Sequence, residues 1–181
     1  MAGLSIIDEL NNYKLRFPDE SDSTGDFIQF ITQTPNYLDR NTSNAHVTGS
    51  AWLLNLDKTK VLLTHHKKLN SWCQLGGHAD GETDVLKVAI REAKEESGIT
   101  GITPISSDIF DISKHYIPKR GDCDAHYHYD ITFALQVTNS EEYSISAESF
   151  DLEWVEINKV LEYANNSTMN RMYRKWLKYN E

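Results

Sequence analysis

GGHADGETDVLKVAIREAKEESGI, residues 76–99, is the stretch on which the reading of this chain turns. If the segment is helical after its opening glycines, Glu92, Glu95 and Glu96 stand at i, i+3 and i+4 and share one face. Three carboxylates so placed repel one another, and Arg91, four residues before Glu95, offsets only part of that repulsion. Their natural complement is a hard divalent cation with oxygen ligands. Mg²⁺ in particular is held by a few carboxylates together with substrate phosphates. Val85, Leu86, Ala89, Ile90 and Ala93 add an apolar stripe. Gly76-Gly77 offers a backbone able to turn tightly and approach a ligand, and Asp80-Gly81 is a turn signal. Thr83 is the expected N-cap and Gly98 the stop, which predicts a helix over 83–97. A Glu/Lys-rich helix is most often a plain solvated face with ordinary Arg91/Glu95 pairing. Glycines in register at both ends favour the metal reading.

This arrangement resembles the Nudix box, the signature of the Nudix hydrolases. The box runs Gly, five residues, Glu, seven residues, then Arg-Glu-aliphatic-x-Glu-Glu-x-Gly-aliphatic. Gly77, Arg91, Glu92, Glu95, Glu96, Gly98 and Ile99 fall at the matching positions. Two positions depart: Thr83 stands where the box has its loop glutamate, with Glu82 one residue early, and the middle aliphatic is only Ala93. In the family that loop glutamate supports the loop and the box arginine, while the later acids carry the metal.

Composition describes an ordinary globular chain of one-domain length: 181 residues, 39% hydrophobic and 25% charged. A net charge of -9 argues against nonspecific nucleic-acid binding, which needs clustered Lys and Arg. It leaves room for a phosphate substrate, because a bound divalent metal reverses the local sign. Cys73 and Cys123 are too few for a disulfide framework, and Cys73 reads as a buried thiol. The N-terminus has no long apolar core, so neither a signal peptide nor a membrane span is expected, and a cytoplasmic location is the default.

Residues 1–44 read as an N-terminal helical extension. Ile6, Ile7, Leu10, Tyr13 and Phe17 mark one helix ended by Pro18. A polar turn over 19–25 follows, then a short helix carrying Phe27, Phe30 and Ile31. Such helices are marginal alone and are expected to pack on the main domain or on a second subunit of a homodimer. The remainder, 45–181, reads as the main domain. Strands are expected over 47–54 and 61–64 (a hairpin), 71–75, 102–112, 127–137 and 151–157, with a polar loop over 114–124. Two closing helices follow, capped by Asn158 and Ser167, the second with a Met169, Met172, Tyr173, Trp176, Leu177 stripe expected in a core or interface. The fold class expected is α/β: a mixed β-sheet covered on both faces, an α/β/α sandwich, which is also the Nudix architecture.

The resemblance implies metal-dependent hydrolysis of a pyrophosphate bond in a small-molecule nucleoside diphosphate derivative, with Mg²⁺ or Mn²⁺ as cofactor. On that reading Glu92, Glu95 and Glu96 bind metal, and backbone near Gly76 and Gly77 supplies a carbonyl or a phosphate contact. Arg91 organises the loop. The general base is Glu96 or Glu148, since family members also use an acid in the loop before the last strand. His126 and His128 lie two apart on one face of a strand, His115 precedes them across the loop, and His78 follows the glycines. They are candidates for substrate contact, for a second metal site, or for purely structural use. Lys67, Lys68, Lys119 and Arg120 are candidates for distal phosphates, and Trp72 for stacking on a base, against core or solvated roles. Two alternatives are a noncatalytic nucleotide sensor and an isopentenyl-diphosphate isomerase-like enzyme using a cysteine, a histidine and a glutamate.

Overall fold

The computed structural model describes residues 5–42, 44–121 and 124–179. Five helices and seven strands follow in the order α1 (Ile6–Arg16), α2 (Ser21–Gln33), β1 (Ala45–Leu54), β2 (Lys60–His66), β3 (Ser71–His78), α3 (Val85–Ser97), β4 (Ile102–Pro104), β5 (Asp111–Ile117), β6 (His126–Val137), β7 (Ser149–Glu156), α4 (Val160–Tyr163) and α5 (Ser167–Tyr179). The strands form one sheet in the order β4-β6-β1-β3-β2-β7, with β5 also paired to β6. β1 and β6 are parallel and every other pair is antiparallel, so the sheet is mixed.

β1 is buried along its whole length, and its two faces alternate as a strand must. Val47, Ala51 and Leu53 enter a core shared with α1, α2 and α3 through Leu10, Tyr13, Phe27, Ala89 and Ala93. Trp52 and Leu54 enter a second core on the opposite face, closed by Val160, Met169, Met172 and Trp176. Helices therefore cover both faces, the expected sandwich. By the same alternation His46, Thr48 and Ser50 share a face with Trp52, but they carry polar groups into it.

Several local expectations give way to contacts distant in sequence. The expected β1–β2 hairpin pairs only at Leu54↔Val61, because β3 inserts between the two strands and takes up most of β1's edge. Gly76 and Gly77 are strand residues, paired with Ser50 and Gly49, rather than a turn. The expected 102–112 strand breaks into β4 and β5, and β5 runs into the segment read as a loop. α2 starts at Ser21, inside the expected polar turn. Asp84 rather than Thr83 caps α3, accepting from the Lys87 amide at 3.2 Å. Asn158 lies within a 3₁₀ turn, and Asn166, not Ser167, accepts from the Met169 amide at 2.9 Å ahead of α5. Gly98 does end α3, at φ 72°, where a side chain would be strained. Leu177 is exposed, while Met169, Met172 and Trp176 are buried. Cys123 lies outside the described residues. No helix among them is long and apolar enough to cross a membrane.

A buried ionic cluster ties the N-terminal helices down. Asp111 on β5, fully buried, accepts both nitrogens of the Arg171 fork at 2.7 Å and the Lys175 ammonium at 2.6 Å. Glu20 completes the group, receiving Lys175 at 2.7 Å and the Tyr13 hydroxyl at 2.5 Å. Arg16 on α1 donates to the Ile109 carbonyl at 2.7 Å. The first helices thus pack on their own chain's sheet. Removing one partner of such a cluster leaves buried charge unpaired, so Asp111→Ala should cost about 3 kcal/mol. Urea denaturation reads this as a lower midpoint at unchanged slope.

Candidate active site

α3 carries the acids, and its position is set by close approach to β3. A Cβ at Gly77 would lie 2.3 Å from Glu92 Oε2, so only glycine leaves room for the carboxylate there. The Gly76 amide donates to Glu96 Oε2 at 3.0 Å. It is therefore the N–H of Gly76 that meets the acids. Arg91 spans the same gap, its Nη2 donating to the His78 carbonyl at 2.6 Å and to Glu92 Oε1 at 2.7 Å. Glu82 accepts from the Asp84 amide at 2.9 Å and so braces the helix entry.

Electrostatics draws these acids together with one from another element. Glu96 is 5% exposed, and its carboxyl is pushed up to about 8, first by burial and then by the charges of Glu92, Glu148 and Glu95, against the pull of the Gly76 amide. Burial raises Glu92 as well, opposed by Arg91 and reinforced by Glu95 and Glu148. Glu148 precedes β7, and its backbone carbonyl accepts from the Lys67 amide at 2.9 Å. Glu95 and Glu148 are exposed, so one side of the cluster is open to solvent. Glu92 and Glu96, raised by burial and by the acids around them, are hard oxygen donors of the kind that fits a divalent cation such as Mg²⁺ or Mn²⁺.

Arg40, which no sequence signal marks, forms a bidentate pair next to this site with Asp80, read from the sequence only as part of a turn. The Arg40 cation feels Glu92 and Glu148. Nothing in the Asp39–Asn41 turn marks Arg40 locally; the fold brings it to a residue forty positions away.

The histidines gather on the polar half of the α5-side face. His46 pairs in register with His128, and Thr48 with both His78 and Asp130. The His46 ring centroid lies 5.0 Å from that of His78, 4.7 Å from His128 and 5.0 Å from His126. Burial holds His46 and His78 down at about 4 and His128 at about 2, with the neighbouring imidazoles adding to it, so these three rings are neutral at physiological pH. Below them, Asp130 Oδ1 accepts from Thr48 at 2.6 Å and Ser50 at 2.7 Å. His115 turns instead to Ser113 at 2.7 Å.

Other expected contacts lie elsewhere. Lys119 pairs with Asp124, Arg120 donates to the Lys68 carbonyl, and Lys67 Nζ to the Ala147 carbonyl at 2.8 Å. Trp72 stacks on His65 at 5.2 Å and meets Tyr163 edge-on at 5.3 Å. The Cys73 thiol is pushed up to about 12 by burial and then by Glu96 and Asp130, which makes it an inert group.

The family described as the NUDIX domain matches residues 45–176. No curated protein sequence matches. Among solved structures, the Ap4A hydrolase of C. elegans in a binary complex superposes with a TM-score of 0.60 at 21% identity, covering 74% of this chain and 96% of that one. The MutT protein of Methanosarcina mazei Go1 gives 0.58 at 19%, covering 77% and 98%. The E. coli dihydroneopterin triphosphate pyrophosphohydrolase gives 0.56 at 14%, covering 73% and 95%. At these identities the likeness is one of fold.

The proton on Glu96 sets a pH dependence for the metal-free protein. Its carboxyl ionises near 4.5 when unfolded and near 8 when folded, so the folded state holds the extra proton between those values. Stability present at the lower pH is then lost as pH rises through the window. The melting temperature without divalent metal should fall by a few degrees from pH 7 to pH 8.5, a range above the one in which His46, His78 and His128, held low in the fold, add stability as pH rises. Glu96→Gln should remove most of that fall, leaving the smaller slope of Glu9, raised to about 7 mainly by burial. An unchanged slope in Glu96→Gln would refute this account.

Proposed function

The chain belongs to the Nudix family of pyrophosphohydrolases, and from that premise we propose that it hydrolyses a pyrophosphate bond in a nucleoside diphosphate linked to a second moiety. The observation that carries the reading is the placement of Glu92 and Glu96 beside Glu95 and Glu148, where burial first and then the neighbouring charges raise both carboxyls. Glu92, Glu95 and Glu96 are the residues that would hold Mg²⁺ or Mn²⁺. Held there, such an ion would supply neutralisation of phosphate charge. Arg91 holds Glu92 and the His78 backbone in one orientation, and the Gly76 amide fixes one oxygen of Glu96.

Glu148 is the residue we assign as general base. It is exposed, whereas Glu96 is buried and tied to a backbone amide, a placement suited to a ligand that must not move. General bases contribute about 10²–10⁴-fold. Arg40, oriented by Asp80, faces the phosphates of the substrate on this reading. The retained acids weigh against the sensor alternative, and the inert Cys73 thiol weighs against the isomerase, which needs a reactive cysteine.

Product release from a panel of NDP-sugars, ADP-ribose, dinucleoside polyphosphates and nucleotides tests the proposal with either metal. Turnover should require metal and fall by about a hundredfold or more in Glu95→Gln and Glu96→Gln. Glu148→Gln should lower kcat comparably while leaving the metal concentration for half-maximal rate unchanged; Glu96→Gln should raise that concentration. A near wild-type kcat in Glu148→Gln would transfer the base role to Glu96. Silence across the panel, with metal-independent ligand binding unchanged by the variants, would leave a sensor.

A further inference from the structure

We propose that His46, His78 and His128 form a second metal site, made of nitrogen ligands and suited to Zn²⁺ or a similar transition ion, separate from the carboxylates of α3. One ligating atom from each ring lies within 4.8 Å of the others. The three come from adjacent strands β1, β3 and β6, so the sheet's own register brings them together. Zn–N bonds of about 2.0–2.1 Å set the nitrogens of a tetrahedral site roughly 3.3 Å apart, a gap that small side-chain rotations close.

Packing alone gives a poor account of this cluster. His46 is 2% exposed, and among the described residues neither its Nδ1 nor its Nε2 has a hydrogen-bond partner. Each orphaned polar atom costs about 1–3 kcal/mol. A metal ion takes up the lone pair that an imidazole ring offers, which would answer the unpartnered nitrogens of His46. Imidazole selects Zn, Cu, Ni or Fe, whereas Mg²⁺ prefers oxygen, so the two clusters sort different ions.

The surroundings are those of ligands held in place. The His126 Nδ1 bonds to the Asp124 carbonyl at 2.8 Å, and its Nε2 meets the His128 Nε2 at 3.1 Å, which makes His126 a positioning residue for His128. The His78 backbone is anchored through its carbonyl to Arg91. Arg40 and Asp80, which act on His46 and His78 with opposite sign, are paired with each other, so the rim carries little net charge. Three protein nitrogens leave a fourth position for water or a ligand oxygen.

The test uses the full chain, stripped of metal by chelation and held in excess Mg²⁺ so that the carboxylates are occupied. Titration with Co²⁺ should give one equivalent of binding with the intense visible absorption of a four-coordinate nitrogen site, and Zn²⁺ should displace it and raise the melting temperature. An oxygen-ligated six-coordinate cobalt at the carboxylates absorbs only faintly, so this readout is independent of the hydrolysis assay. His46→Asn and His128→Asn should each weaken binding by more than about a hundredfold, while Glu95→Gln leaves it unaltered. His78→Asn, at a half-buried position, repeats the test where folding is less at stake, with circular dichroism as the control. Absent stoichiometric binding in the wild type, binding that survives all three histidine variants, or binding lost in Glu95→Gln would each overturn the proposal.

Discussion

The parallel pairing of β1 with β6, in register from Ala45↔Tyr127 to Leu54↔Gln136, is the constraint on which the rest depends. Parallel neighbours cannot be joined by a tight turn, so the chain must leave β1, build β2, β3, α3, β4 and β5, and return. That excursion carries the acids on α3 and delivers them beside β3, the strand on β1's other edge. The same pairing brings His46 against His128 and Thr48 against Asp130, placing a polar strip in the middle of a buried sheet. Asp130 accepts four side-chain hydrogen bonds, from Thr48, Ser50, Gln74 and Thr132, and so makes that strip tolerable in low dielectric.

Charge is managed in two contrasting ways. Around Asp111 the acid and base side chains are matched, and the cluster joins α1, β5 and α5 as a fastening. Around Glu96 the acids outnumber their partners, with Arg91 bound to Glu92 alone among them. The first arrangement serves stability, while the second leaves like charge uncompensated, a pattern enriched at functional sites.

Much of this was legible in the sequence because it rests on local spacing. The acids at 92, 95 and 96, the αL glycine at 98 and the strand expected over 127–137 follow from helical and strand periods and from one residue's backbone freedom. What escaped reading depends on partners far along the chain. Asp57–Lys60 reads as a hairpin turn, yet Leu63 pairs with Gln74 because β3 competes for β1's edge. Gly76 and Gly77 read as a loop, but the need they meet is room for Ser50 and Glu92, twenty-six and fifteen residues distant. Caps slipped by one residue at Asp84 and Asn166, where neighbouring residues are chemically equivalent candidates. Arg40 and His46 bear no local mark at all, and only the sheet and the Asp80 turn give them company.

His78 belongs to two neighbourhoods at once. Its ring stands among the imidazoles, while its carbonyl is bound by the arginine that also holds Glu92. A residue shared in this way is a path along which a shift at one group can reach the other. Linkage makes such coupling reciprocal: an event at one cluster that changes binding at the other by some factor is itself changed by that factor. One peptide unit thereby stands in contact with both groups of side chains.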